Sequence, residues 1–147
     1  MRIFLDTSFI IAAAGSRTGL PRYILEHGQR SQWVFITSLY CEEEVARNIH
    51  KVGGEAFWLS VIRPDLRIHT TEVVLDYPLV FDASKDRPVI ISALGSGADY
   101  LLTLDSADFA PLLNTEVYGM RVRLPLAFAR EIKLPIADAP RESGAQH

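Results

Sequence analysis

Four acidic residues far apart in the chain, Asp6, Glu44, Asp86 and Asp105, each fall at or beside an end of a predicted strand or helix. A single carboxylate in such a place is ordinarily a cap. Several that converge on one edge of a sheet make a site for a hard divalent cation, which prefers carboxylate and water oxygens. The densest stretch is KDRPVIISALGSGADYLLTLDSADF, residues 85–109, where Asp86 opens an apolar helix and Asp105 closes an apolar strand.

The elements that must position these acids alternate along the chain. Residues 2–5 form an apolar strand that ends in Asp6-Thr7-Ser8, an N-cap cluster for a small helix over 9–14. Pro21 starts a second helix, which Gly28 closes, and β-branched and aromatic residues make 33–37 a strand. Ser38 caps a helix that runs to about His50, and another spans 55–62 before Arg63-Pro64 stops it. A short strand over 66–70, a helix over 88–94, a buried strand over 100–104, a strand over 120–124 and a helix opened by Pro125 complete the order. Such alternation predicts an α/β fold with a mainly parallel sheet covered on both faces. Ligands of such sheets bind beyond the carboxyl ends of the strands. Asp6 and Asp105, expected to follow their strands directly, fall on that edge.

Each acid also has a plain structural role open to it. Asp6 can cap a helix, and Asp105, Ser106 and Asp108 can close an Asx turn. Pro88 at the first helical position puts Arg87 at the cap and Asp86 one residue outside it. On the helix after Ser38, residues Cys41, Val45, Asn48 and Ile49 form the inward face and Glu43 points to solvent. Glu42 and Glu44 lie on opposite borders of that face, and periodicity leaves both as candidates.

The 147 residues suit one domain. A net charge of −3 argues against bulk, nonspecific nucleic-acid binding, although cations held by carboxylates would offset it locally. Arginine outnumbers lysine, and its planar fork suits phosphate. The one cysteine, Cys41, permits no internal disulfide, reads as a core residue and suits a reducing compartment. The chain shows neither a secretory leader nor the roughly 20 apolar residues of a membrane span, so a cytoplasmic protein without membrane contact is expected. The four histidines are scattered without ligand spacing. Gly95-Ser96-Gly97 lacks the third glycine of a dinucleotide loop, and Ser8 stands where a haloacid-dehalogenase phosphatase needs a second Asp. Phe57, Trp58 and Leu59 are expected in a core or a dimer contact rather than as a base-stacking surface.

Taken in order, these motifs resemble the PIN domain family of small metal-dependent nucleases, which includes many prokaryotic toxins of toxin–antitoxin pairs. The resemblance runs from Arg2 to about Leu134, with residues 135–147 expected to be a disordered tail. It is carried by the strand ending in Asp6-Thr7-Ser8, by Ile36-Thr37-Ser38 leading into EVARN, by Lys85-Asp86 before VIISAL, by GADYLLTLDSADF, and by Arg123-Leu124-Pro125 with Phe128. It implies a three-layer α/β/α sandwich around a central sheet of four to five strands. It selects Glu44 over Glu42, and makes Asp6, Glu44, Asp86 and Asp105 the catalytic and metal-binding acids for Mg²⁺ or Mn²⁺. Thr103 and Asp108 become auxiliaries. The implied activity is hydrolysis of single-stranded or structured RNA, with an antitoxin partner and a homodimer. The competing expectation is a PIN-like module that binds RNA or protein without cutting it.

Overall fold

Side chains along the first strand alternate between two cores. In β1 (Arg2–Leu5), Ile3 and Leu5 enter one buried cluster and Phe4 enters the other. The same division runs through β2 (Val34–Ser38), where Phe35 opposes Ile36, and through β4 (Tyr100–Leu102), where Tyr100 and Leu102 oppose Leu101. A computed structural model, which describes residues 1–70 and 87–136, places these strands inside a six-stranded sheet of order β3-β2-β1-β4-β6-β5. β3 is Leu66–His69, β5 is Glu116–Val117 and β6 is Met120–Arg123. All neighbours pair parallel except β5 with β6.

One face is covered by α1 (Thr7–Gly15), α2 (Leu20–Arg30) and α7 (Pro125–Glu131), which bury Phe9, Ile10, Ile24, Leu25 and Phe128 against it. The other face receives Val89, Ile90 and Ala93 of α6 (Arg87–Gly95), together with Phe109. The architecture is therefore the expected α/β sandwich of three layers. α3 (Leu39–Asn48) contributes to both cores, through Cys41 on one side and Val45 on the other. Its first turn is fixed by Ser38, whose Oγ accepts the Cys41 N–H at 3.1 Å. A 3₁₀ turn, Ile49–Val52, follows. No helix among the described residues is long and apolar enough to cross a membrane.

Four local expectations are corrected. The sheet has six strands rather than four to five, because Val117 and Met120 pair across a two-residue turn, Tyr118-Gly119. Both turn residues have positive φ, 48° and 86°, as a tight hairpin requires, but Tyr-Gly lacks the Asn-Gly or Asp-Gly signature. Gly28 does not end α2. It lies inside the helix, where a Cβ would meet the Phe35 ring at 2.3 Å and Trp33 at 2.6 Å, so glycine there serves close packing. Pro64 does not stop the helix after Gly54: α4 (Glu55–Phe57), a π turn Trp58–Ile62 and α5 (Arg63–Asp65) run on continuously, the proline sitting in the first turn of α5. β4 ends at Leu102, two residues early, for a reason that belongs to the site. At the other end, Pro135 accepts a hydrogen bond from the Tyr23 hydroxyl and Ile136 packs on the core. The remainder of the expected tail, 137–147, lies outside the described residues.

Arg22 locks the helix that carries the first acid. Buried, it donates to the carbonyls of Ala13 and Ala14 at 2.6 and 3.1 Å, at the C-terminal end of α1, and its guanidinium stacks over Phe57 at 3.4 Å. Trp58 is buried and Phe57 packs partly buried against the core, as expected, whereas Leu59 is exposed.

Candidate functional site

The strand order reverses at β1, which has β2 on one side and β4 on the other. This is the switch point at which open parallel sheets leave a crevice beyond their carboxyl ends. A cleft of about 350 Å³ opens there, lined by Asp6, Thr7, Ser8 and Ile11 of the β1–α1 segment, Tyr40, Glu44 and Asn48 of α3, Val89 of α6, and Asp105 and Asp108 after β4. Three of the four expected acids, from segments about forty or more residues apart, thus share one cleft. Asp86 immediately precedes α6 in sequence and lies outside the described residues.

Asp6 occupies the N-cap position of α1 but makes no capping side-chain hydrogen bond. Its Oδ2 instead accepts from Thr103 Oγ1 at 2.8 Å and from Ser8 Oγ at 3.0 Å. Each hydroxyl has one proton, and each spends it on Asp6. Each hydroxyl oxygen then accepts a backbone N–H: Thr103 from Asp105 at 3.0 Å and Ser8 from Leu104 at 2.9 Å. Two parallel chains, backbone amide to hydroxyl to carboxylate, therefore converge on one oxygen and polarise one another. The capture of the Leu104 N–H by Ser8 takes that residue out of the sheet ladder. Asp105 consequently stands three residues past the strand end, not directly after it.

Only 7 % of Asp6 is exposed, and burial pushes its carboxyl above the usual range. The two hydroxyls and the Thr7 amide oppose this, while the charge of Glu44 adds to it. Glu44 also raises the Tyr40 phenol, with burial contributing less. Asp105 fulfils the Asx-turn expectation, its Oδ1 accepting the Asp108 N–H at 2.9 Å. One of its oxygens is thereby occupied. Buried Thr103 acts through Asp6 and is not itself a lining residue.

The structure separates the two border glutamates. Glu44 lines the cleft, whereas Glu42 Oε2 lies 2.7 Å from Arg63 Nε of α5, a close ion pair that is not aligned as a hydrogen bond. Glu43 is exposed. Asn48 joins the cleft one turn after Glu44, donating its Nδ2 proton to the Glu44 carbonyl and accepting from Lys51 Nζ, both at 2.8 Å. Cys41 is wholly buried, and burial pushes its thiol up, as for an inert core cysteine.

Sequence reasoning missed three residues of this site. Ser8 registered only as part of a cap cluster, Asn48 as a core-facing residue, and Tyr40 not at all. The strict spacing Tyr40, Glu44, Asn48 is the signal that could have found two of them, since residues four apart share a helix face. The weight on Ser8 leads to a direct expectation. Ser8→Ala strips Asp6 of a donor and orphans the Leu104 N–H, and should lower stability by about 1–3 kcal/mol in urea unfolding. An unchanged midpoint would contradict the relay.

Among the described residues, the donors lining the cleft are carboxylate, hydroxyl and amide oxygens without thiol or imidazole, a set that suits Mg²⁺ or Mn²⁺. A buried carboxylate beside a second acid, with no Lys or Arg among the described residues that line the cleft, fits a cation. As the side chains stand, no three His, Cys, Asp or Glu among the described residues are gathered closely enough to hold an ion together. No protein-family model, curated protein or solved structure matches the chain.

Proposed function

We propose that this chain is a divalent-metal-dependent endoribonuclease acting on single-stranded RNA, the toxin of a toxin–antitoxin pair. The observation that carries the reading is the convergence of Asp6, Glu44 and Asp105 on one cleft at the reversal point of the sheet. Asp86 enters the proposal on its place in the sequence and on the PIN resemblance. Under this reading Asp6, Glu44, Asp86 and Asp105 hold Mg²⁺ or Mn²⁺, and Asp108 supports the turn that presents Asp105. Bound there, the ion supplies Lewis acidity toward the phosphodiester and makes a water acidic enough to attack at neutral pH. The chain's own work is positional. Thr103 and Ser8 pin one oxygen of Asp6, the Asx turn pins one oxygen of Asp105, and Ser38 with Cys41 anchors the helix bearing Glu44. No side chain need act as nucleophile: water would attack phosphorus in line with the 3′ oxygen, and the P–O3′ bond would break with the 3′ oxygen taking a proton, leaving 5′-phosphate and 3′-hydroxyl ends.

The antitoxin of this reading is a protein whose segment covers the acidic cleft, and the homodimer is likewise proposed from the family resemblance. A second reading, a PIN-like module that binds RNA or protein without cutting, is favoured by one observation: among the described residues, which leave out Asp86, no three such side chains are drawn together as an ion-binding group. Paired glutamate variants test between them. Glu44→Gln should abolish RNA cleavage in Mn²⁺, whereas Glu42→Gln, which loses only its ion pair with Arg63, should cleave as wild type does. Cleavage that survives Glu44→Gln, or an RNA-binding wild-type protein that never cleaves, would favour the module.

A further inference from the structure

Among the described residues that line the cleft, Tyr40 is the one large side chain that water reaches freely. It is 49 % exposed, although the next residue, Cys41, is wholly buried. Ser38 caps this turn and Cys41 anchors it in the core, so the ring is carried on a fixed backbone. Neither its hydroxyl nor its ring has a hydrogen-bond or ring partner among the described residues. The other exposed aromatic among the described residues, Tyr118, is in a hairpin turn away from the cleft lining. Tyr40 therefore presents an uncommitted aromatic face four residues before Glu44, about 6 Å along the helix axis.

We propose that Tyr40 is the stacking platform for one base of a single-stranded RNA, next to the phosphodiester held at Asp6, Glu44 and Asp105. The inference rests on the nuclease reading, which brings a polynucleotide into the cleft. Every base has a π-face, so an exposed phenol can hold a nucleotide without selecting its sequence. The surroundings match a polyanion lying along α3. Arg47, exposed on the same helix, acts electrostatically on Tyr40, and exposed Lys51 bonds Asn48 at the far end of the Tyr40, Glu44, Asn48 strip. The acids receive the reacting phosphate through their cation, the helix cations meet neighbouring phosphates, and the tyrosine fixes the register by its base. A ring exposed to this degree adds little to the core, so its removal should leave the fold intact.

The test is a set of Tyr40 variants assayed with a fluorescent single-stranded oligoribonucleotide in Mn²⁺, reading KM and kcat separately, with circular dichroism as the control for folding. Tyr40→Ala should raise KM about 5- to 150-fold, the usual range for loss of one stacked base, and leave kcat within a few fold. Tyr40→Phe and Tyr40→Trp should stay within about threefold of wild type, because the face and not the hydroxyl does the work. An oligonucleotide with one abasic site at the stacked position should bind wild type as weakly as Tyr40→Ala binds the intact strand, and should lose nothing further with the variant. A Tyr40→Ala protein that cleaves with unaltered KM overturns the platform and leaves the nuclease reading standing. So does a Tyr40→Phe loss as large as that of Tyr40→Ala. A wild-type protein that neither binds nor cleaves RNA in Mn²⁺ removes the nuclease reading and the platform together.

Discussion

Asp6→Asn should lose metal-dependent RNA cleavage by at least about 100-fold, beyond the 10–100-fold typical of an outer-shell residue, while the metal-free protein melts at the same or a higher temperature. The two halves of this result have one cause. Asparagine preserves the shape, and its oxygen can still accept from Thr103 and Ser8, so the relay survives. What disappears is a buried negative charge, which burial and the neighbouring Glu44 already disfavour. Function is lost at a residue whose charge the fold tolerates poorly, a trade between activity and stability expected of a site built for a cation. The pH dependence has a definite sign. The folded-state pKa of Asp6 is raised above the unfolded value near 3.9, so the folded state binds the extra proton more readily. Its contribution to stability is present below that unfolded value and is lost as pH rises through the folded value. Metal-free wild type should therefore gain on Asp6→Asn in stability as the solution is acidified, measured as the difference in melting temperature at pH 4 and pH 7. A variant that melts well below wild type at pH 7 would mean that the Asp6 charge has a protein partner and needs no ion.

Addition of Mn²⁺ should raise the melting temperature of wild type and leave Asp6→Asn nearly unmoved. At about one hundred times its dissociation constant, an ion that binds only the folded state contributes about 2.7 kcal/mol. For a chain of this length that corresponds to a shift of about 5–10 °C. Ion binding should also flatten the pH dependence above, because the positive charge favours the ionised form of Asp6. The measurement needs no substrate and reads the cleft directly. It also tests whether the acids of the cleft close on one ion, since among the described residues no three stand close enough to hold one together. A shift in wild type that vanishes in Asp6→Asn would mean that the side chains close around the ion. Equal shifts in both proteins would put the ion elsewhere.

The parts of this site that were legible in the sequence are those set by local chemistry. An apolar strand followed at once by Asp6 fixes that residue at the strand end, and the alternation of strands and helices makes the sheet mainly parallel, while the central place of β1 emerges only in the folded sheet. Ser38 reads as a cap and proves to be one. The illegible parts depend on contacts between distant segments. Glu42 and Glu44 are equivalent by helical periodicity, and tertiary contacts separate them: Glu44 lines the cleft, whereas Glu42 pairs with Arg63, twenty-one residues away. The shortening of β4 follows from a serine ninety-six residues earlier that takes the Leu104 amide. Gly28 carries the same message at the level of the fold: it reads as a helix terminator, yet what it serves is the close approach of two aromatic rings from the neighbouring strand segment. Tyr40 was hidden because a neighbouring buried cysteine suggests a buried turn, whereas consecutive helical residues point about 100° apart.

The most direct measurement of the central claim is the chemistry of the RNA ends produced by the purified protein with and without Mn²⁺. Cleavage should occur only with the metal, leaving fragments with 5′-phosphate and 3′-hydroxyl ends, and Asp6→Asn should give no products under the same conditions. Cleavage that persists in a chelator, or fragments ending in 2′,3′-cyclic phosphate, would contradict that claim.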